Sequence, residues 1–182
     1  MSAYFYLVSQ LPMLRIGEEP PFSSAEFRQK CEGVLTEDEL ASLDALLAGE
    51  PAENSFVQEF EAREIQMKNV AGKIRAQAWG PDAHFTERSF NGYDVDFAKK
   101  INEALSRTSP LEKEEEIDKA RFNLADELAG VGEPTVAFIY AFAVKLAICE
   151  RWAKLSNEAG AAELLNAINE NDPDYKRERP EA

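Results

Sequence analysis

One histidine, two cysteines and no recognisable cofactor motif leave this chain of 182 residues little material for chemistry. The histidine, His84, has only Asp82 and Glu87 near it in sequence. It reads as a solvated loop residue rather than a base or a zinc ligand, since either role needs an orienting partner or further ligands. Cys31 and Cys149 stand far apart with no CxxC pair, so two free thiols in a reducing compartment are expected. No GxxxxGK[ST], GxGxxG, GxSxG or HExxH occurs, which removes the usual phosphate cradles, the nucleophile elbow and the helical zinc site. The expectation is a chain that is not an enzyme and takes neither a cofactor nor a small-molecule substrate. Long apolar runs are also missing. The longest, Val136 to Cys149, is interrupted by Lys145 and falls short of the ~20 residues that a membrane span needs. The apolar opening Met1–Val8 lacks a basic flank and runs on to Pro12, which does not fit a secretory leader. Positive charge is scarce as well. Twenty Lys and Arg face 34 Asp and Glu, a net −14. Such a chain does not coat phosphates or anionic lipid, and its natural complement is a basic protein surface.

Strand patterning is absent too, since no segment keeps up apolar–polar alternation. What the chain does contain is helix punctuation. Ser23 with Glu26, and Thr36 with Glu39, have capping-box spacing. Gly49 and Pro51 close the helix that carries Leu40, Leu43, Leu46 and Leu47. A long helix follows, with Ser55 and Gln58 expected to cap it and Gly80-Pro81 to stop it. Residues 81–93 form the longest irregular connection. Asp94 caps a helix through Ser106, and Ser109-Pro110 with Glu112 opens another whose inward stripe is Ile117, Ala120 or Arg121, Leu124 and Leu128. Pro134 opens the most apolar helix, expected from Thr135 to about Asn157. Gly160 is expected to break it before a last short helix with Leu164, Leu165 and Ile168. Residues 4–11 fit helix or strand equally well. The pattern predicts an all-α bundle of about six to seven helices. An N-terminal helical unit over 1–80 and a C-terminal one over 94–170 flank the connection, and 171–182 form a polar, flexible tail. Phe56-x-x-x-Phe60 and Phe138-x-x-x-Phe142, with Arg63 and Lys145 at matching offsets, allow the two units to be similar.

Two stretches of charge need weighing. Glu112–Glu116 and Asp118 are successive on one helix and radiate around it, so a solvated face is favoured over a metal site. On the long helix, Phe56, Phe60, Met67, Val70, Ile74 and Ala78 keep to one face. Glu64, Lys68 and Asn69 add a polar pattern that this packing does not ask for. Lys68, Lys73 and Arg75 gather in its second half, either as favourable charge at a helix C-terminus or as a docking patch.

The segment Ala62-Arg63-Glu64-x-Gln66-Met67-Lys68-Asn69-Val70 resembles a helix motif of the C subunit of V/A-type ATPases, called d in eukaryotes. That motif runs Ala, basic, Glu, any, Glu, apolar, basic, Asn, apolar, so Gln66 departs from it. Tyr4-Phe5-Tyr6-Leu7-x-Ser9-Gln10-Leu11 is similar to that family's opening, with Gln10 in place of arginine. The opening, Leu11-Pro12 and the late Glu150-Arg151-Trp152 also resemble a small bacterial family encoded in V/A-type ATPase operons. What the resemblance implies is a non-catalytic adaptor or accessory between the central stalk and the membrane proteolipid ring. It would be cytoplasmic and peripheral to the membrane through its protein partners. Arg63, Glu64, Lys68, Asn69, Lys73 and Arg75 are then the candidate partner-binding residues. The alternative is a free-standing acidic helical interaction module unrelated to the ATPase.

Overall fold

The structure, a computed structural model, describes residues 3–155 and 157–171. Among them are eight helices and no strand: α1 (Ala3–Ser9), α2 (Ser24–Cys31), α3 (Glu37–Ala48), α4 (Ser55–Trp79), α5 (Val95–Leu105), α6 (Pro110–Ala129), α7 (Val136–Ala153) and α8 (Asn157–Asn171). The all-α expectation holds, and the count exceeds six to seven because the ambiguous N-terminal stretch is helical. The polar tail expected from 171 onward lies, apart from Asn171, outside the described residues.

Local chemistry sets most boundaries. Ser23 and Thr36 each complete a capping box, with Glu26 and Glu39 reaching back to the cap backbone. Gly49 ends α3 in the left-handed conformation (φ 71°), which a side chain resists. Its neighbour Glu50 donates its N–H to the Ala45 carbonyl at 2.8 Å. Four boundaries differ from expectation. Asn54, not Ser55, caps α4, its Oδ1 accepting from the N–H of Phe56 at 2.9 Å. Ser109 makes no side-chain cap bond, and Pro110 alone starts α6. The α7 helix stops at Ala153 rather than near Asn157. Gly160 lies inside α8 instead of preceding it.

The most apolar helix, α7, takes the centre. Ile139, Tyr140, Ala143, Leu146 and Cys149 are fully buried along it. The hydrophobic cluster around it is continuous from Leu7 through Phe27, Leu43, Phe56 and Phe60 to Phe97, Ile101 and Leu124. Both expected units therefore feed one core. Phe142 packs on Phe27 with ring centroids 4.9 Å apart, and Tyr140 on Phe56 at 5.8 Å. The Tyr140 hydroxyl is satisfied by donating to the Glu39 carbonyl at 2.9 Å, as a buried phenol must be.

Candidate functional site

The buried face of α4 is not the purely apolar stripe that its periodicity predicts. Phe56, Val57, Phe60 and Ala62 are buried, Met67, Val70 and Ile74 are half-buried, and Ala78 is exposed. The amides Gln66 and Asn69 are buried beside them, at 1% and 4% exposure. Each holds the backbone of the irregular connection by two hydrogen bonds. Gln66 Nε2 donates to the Asp94 carbonyl at 2.6 Å, and the Asp94 N–H donates to Gln66 Oε1 at 3.1 Å. Asn69 Nδ2 donates to the Arg88 carbonyl at 2.8 Å, and the Arg88 N–H donates back to Oδ1 at 3.0 Å. Arg63 Nη1 donates to the Gly92 carbonyl at 3.1 Å, with Nε 3.6 Å from an Asp94 carboxylate oxygen. Residues 63, 66 and 69 are three apart, hence on one helix face. One turn further, Gly72 has no side chain because the Phe85 ring occupies that space, and Lys73 pairs with Glu87. Residues 81–94 are thus a strap laid back along α4.

Across α4, facing α6 and α7, charges form a second assembly. Glu64 accepts both Nε and Nη2 of Arg121, at 2.6 and 3.1 Å, the bidentate geometry that suits guanidinium. Arg121 Nη1 also donates to Asp118 at 3.0 Å. Burial works against the Arg121 charge, and Glu64 followed by Asp118 outweighs it, so its proton is held more firmly than in water. Asp118, 1% exposed, further accepts from the indole of Trp152 at 2.7 Å and from Arg151. Arg151 reaches Glu114 at 3.5 Å. The acidic run is therefore not a uniformly solvated face. Asp118 is the buried anchor of α6, paired and hydrogen-bonded as a buried charge requires.

Above this network lies an open groove of about 490 Å³ between α3, α4, α6 and α7. Leu46, Leu47, Ile65 and Ala147 floor it, and its wall carries both signs, Lys68, Arg88, Arg121 and Arg151 beside Glu50, Glu61 and Glu64. Three of the six expected partner-binding residues, Arg63, Glu64 and Asn69, are engaged inside the molecule, and Lys73 is paired on the surface. Lys68 and Arg75 are exposed, with no ion pair among the described residues. Periodicity missed Gln66, Arg121 and Arg151 as parts of these assemblies. Glu-Arg-Trp at 150–152 was the one available signal for Arg151. His84 is exposed, and among the described residues no three His, Cys, Asp or Glu are grouped to hold a metal. No described helix is long and apolar enough to cross a membrane. No family model, curated protein or solved structure matches the chain.

Proposed function

We propose that the protein is a non-catalytic helical adaptor or accessory of a bacterial V/A-type ATPase, docking on the central stalk or the proteolipid ring from the cytoplasmic side. The observation that carries this reading is the division of labour on α4. In the segment that resembles the C-subunit motif, Arg63, Glu64 and Asn69 hold the shape of the molecule. Lys68 and Arg75 are left facing outward. From Ile65 to Trp79 the helix has three cations and no carboxylate, within a chain of net −14. A local reversal of charge sign steers and orients an acidic partner more than it adds raw affinity. The resemblance of the N-terminus and of residues 150–152 to the operon-encoded family supports the same reading.

The test is an affinity capture of the tagged chain from gently solubilised membranes of its source cell, followed by mass spectrometry. Stalk and proteolipid subunits in near-stoichiometric yield are expected for the wild type. Lys68→Glu with Arg75→Glu is expected to cut that yield about tenfold while leaving the thermal midpoint unchanged, since surface substitutions usually move stability little. Recovery of only unrelated soluble proteins favours the free-standing interaction module and ends the ATPase reading.

A further inference from the structure

Asp94 serves three elements at once. Its N–H and carbonyl are held by Gln66 of α4 at 3.1 and 2.6 Å. Its Oδ1 accepts the Phe97 N–H at 2.9 Å and its carbonyl accepts the Ala98 N–H at 3.0 Å, which closes the first turn of α5. The residue therefore ends the strap and caps α5 together. Upstream, the strap has almost no backbone bonds of its own. Among the described residues, the one backbone–backbone bond between Pro81 and Tyr93 runs from the Ala83 N–H to the Gly80 carbonyl at 3.1 Å. Its other main-chain bonds end on α4 side chains, Asn69 at Arg88 and Arg63 at Gly92. The Phe90 and Tyr93 rings pack on each other within it, with centroids 6.3 Å apart. At its start Gly80 stands at φ 109° and ψ −177°, a backbone that glycine alone takes readily. The opposite side of α4 is fixed without the strap, by Phe56 and Phe60 in the core and by Glu64 on Arg121.

We propose that residues 81–94 and the first turn of α5 form a latch, which leaves α4 as one unit while the bundle around α7 stays closed. Opening is cheap beside global unfolding, because the strap is mostly exposed and buries little apolar surface. It is cooperative because Gln66 and Asn69 are buried beneath it. Freeing one amide with the rest of the strap in place leaves that amide buried and unpaired, whereas lifting the whole strap lets water reach both. It extends into α5 because Phe97, Ala98 and Ile101 are buried in the bundle. When Asp94 moves away from Gln66, Phe97 stays behind and loses its cap. The latch thus joins the surface of α4 to the start of α5. By reciprocity, a ligand that competes for Arg63 or Asn69 loosens α5, and one that tightens α5 closes the strap. The inference does not rest on an ATPase partner.

Amide hydrogen exchange of the full chain, resolved by residue with NMR over a series of low urea concentrations, tests it. The Arg88, Asp94 and Phe97 N–H groups are expected to share one opening constant with a shallow dependence on urea. Ala143 and Leu146 in α7 should exchange at least about a hundredfold more slowly, with the steep dependence of global unfolding. Asn69→Ala removes both bonds to Arg88 and touches nothing in α5. A rise of about tenfold at Arg88, repeated at Phe97, is therefore the signature of a single unit. Phe85→Ala, at an exposed position where the fold is not at stake, should raise all three by a common factor of about five. A Phe97 N–H unmoved by either substitution overturns the proposal. So do three unequal constants, exchange of all three together with α7, or a wild type with no protection at Arg88 and Asp94. None of these outcomes touches the membrane capture experiment, which reads Lys68 and Arg75 against other proteins.

Discussion

Asp118 is the residue on which the most side chains depend. Its carboxylate accepts from Arg121, Arg151 and Trp152 at a position that is sealed from water. Removing it takes an acceptor from Arg121 and Arg151, which keep Glu64 and Glu114, and strips the Trp152 indole N–H of its partner. Asp118→Ala is expected to destabilise the fold by about 3 kcal/mol. Urea unfolding followed by tryptophan fluorescence checks this: the midpoint should fall at unchanged slope. Asp118→Asn keeps the volume and one acceptor and should lose less. Gly72 shows the opposite logic, a residue chosen for what it lacks. Mid-helix glycine is unfavourable by about 1 kcal/mol relative to alanine, yet a Cβ there would be driven into the Phe85 ring. Gly72→Ala is expected to unseat Phe85 while stiffening α4. Limited proteolysis should then find residues 81–94 cut faster than in the wild type, without a matching fall in thermal midpoint.

At the level of elements, side chains rather than backbone ladders join the pieces. The α1 helix is tied to α3 by the Tyr4 hydroxyl, which donates to Glu39 at 2.6 Å, while Glu39 also closes the α3 capping box. Burial raises the Glu39 pKa, and the bonds from Tyr4 and Thr36 lower it more, so it ends below the ordinary carboxylate value. A folded pKa below the unfolded one contributes stability that is complete above about pH 4.5 and is lost as pH falls through the folded value. Glu39→Gln should therefore be less stable than the wild type at pH 7, and the gap should narrow in thermal melts as pH falls below the ordinary carboxylate range. Helix existence was legible in the sequence because caps are local: Ser23, Thr36, Gly49 and Asp94 act within a turn. The inward face of α4 was only half legible. Gln66 and Asn69 look like solvent-facing residues until the chain that follows supplies backbone groups for their amides, and periodicity carries no information about that strap. Asp118 was hidden for a related reason, since its partners Trp152 and Arg151 lie on α7, 33 or more residues away. The end of α7 was not legible because Leu155 is the one apolar residue between Ala153 and Asn157 and it is exposed, so no packing holds a further turn of helix.

For the whole molecule, the question is whether the core opens in parts or together. Cys31 and Cys149 report on this from opposite ends of the chain. Both are fully buried against α7 or within it. Burial pushes the Cys31 thiol up to about 11. It raises Cys149 as well, whose thiol donates to the Arg15 carbonyl at 3.4 Å. Since the thiolate is the reactive species, neither should react with an aromatic disulfide reagent at about pH 8 in the folded state. Both should become reactive together as urea unfolds the protein. Early reaction of either one alone would show that the core opens in parts.

The strap has a consequence for how the chain holds itself together. Between Trp79 and Arg88 it is mostly exposed, with Phe85 against Gly72 and Glu87 paired with Lys73, while the core on either side of it is shared. Covalent continuity near Asp82 and Ala83 contributes proximity more than structure. A chain nicked there should remain one particle, and its two fragments, separated in denaturant and mixed, should find each other and restore the bundle. Fragment complementation would then give the strength of the shared core as a dissociation constant, and the change on Gln66→Ala with Asn69→Ala would give the part that anchoring the strap adds.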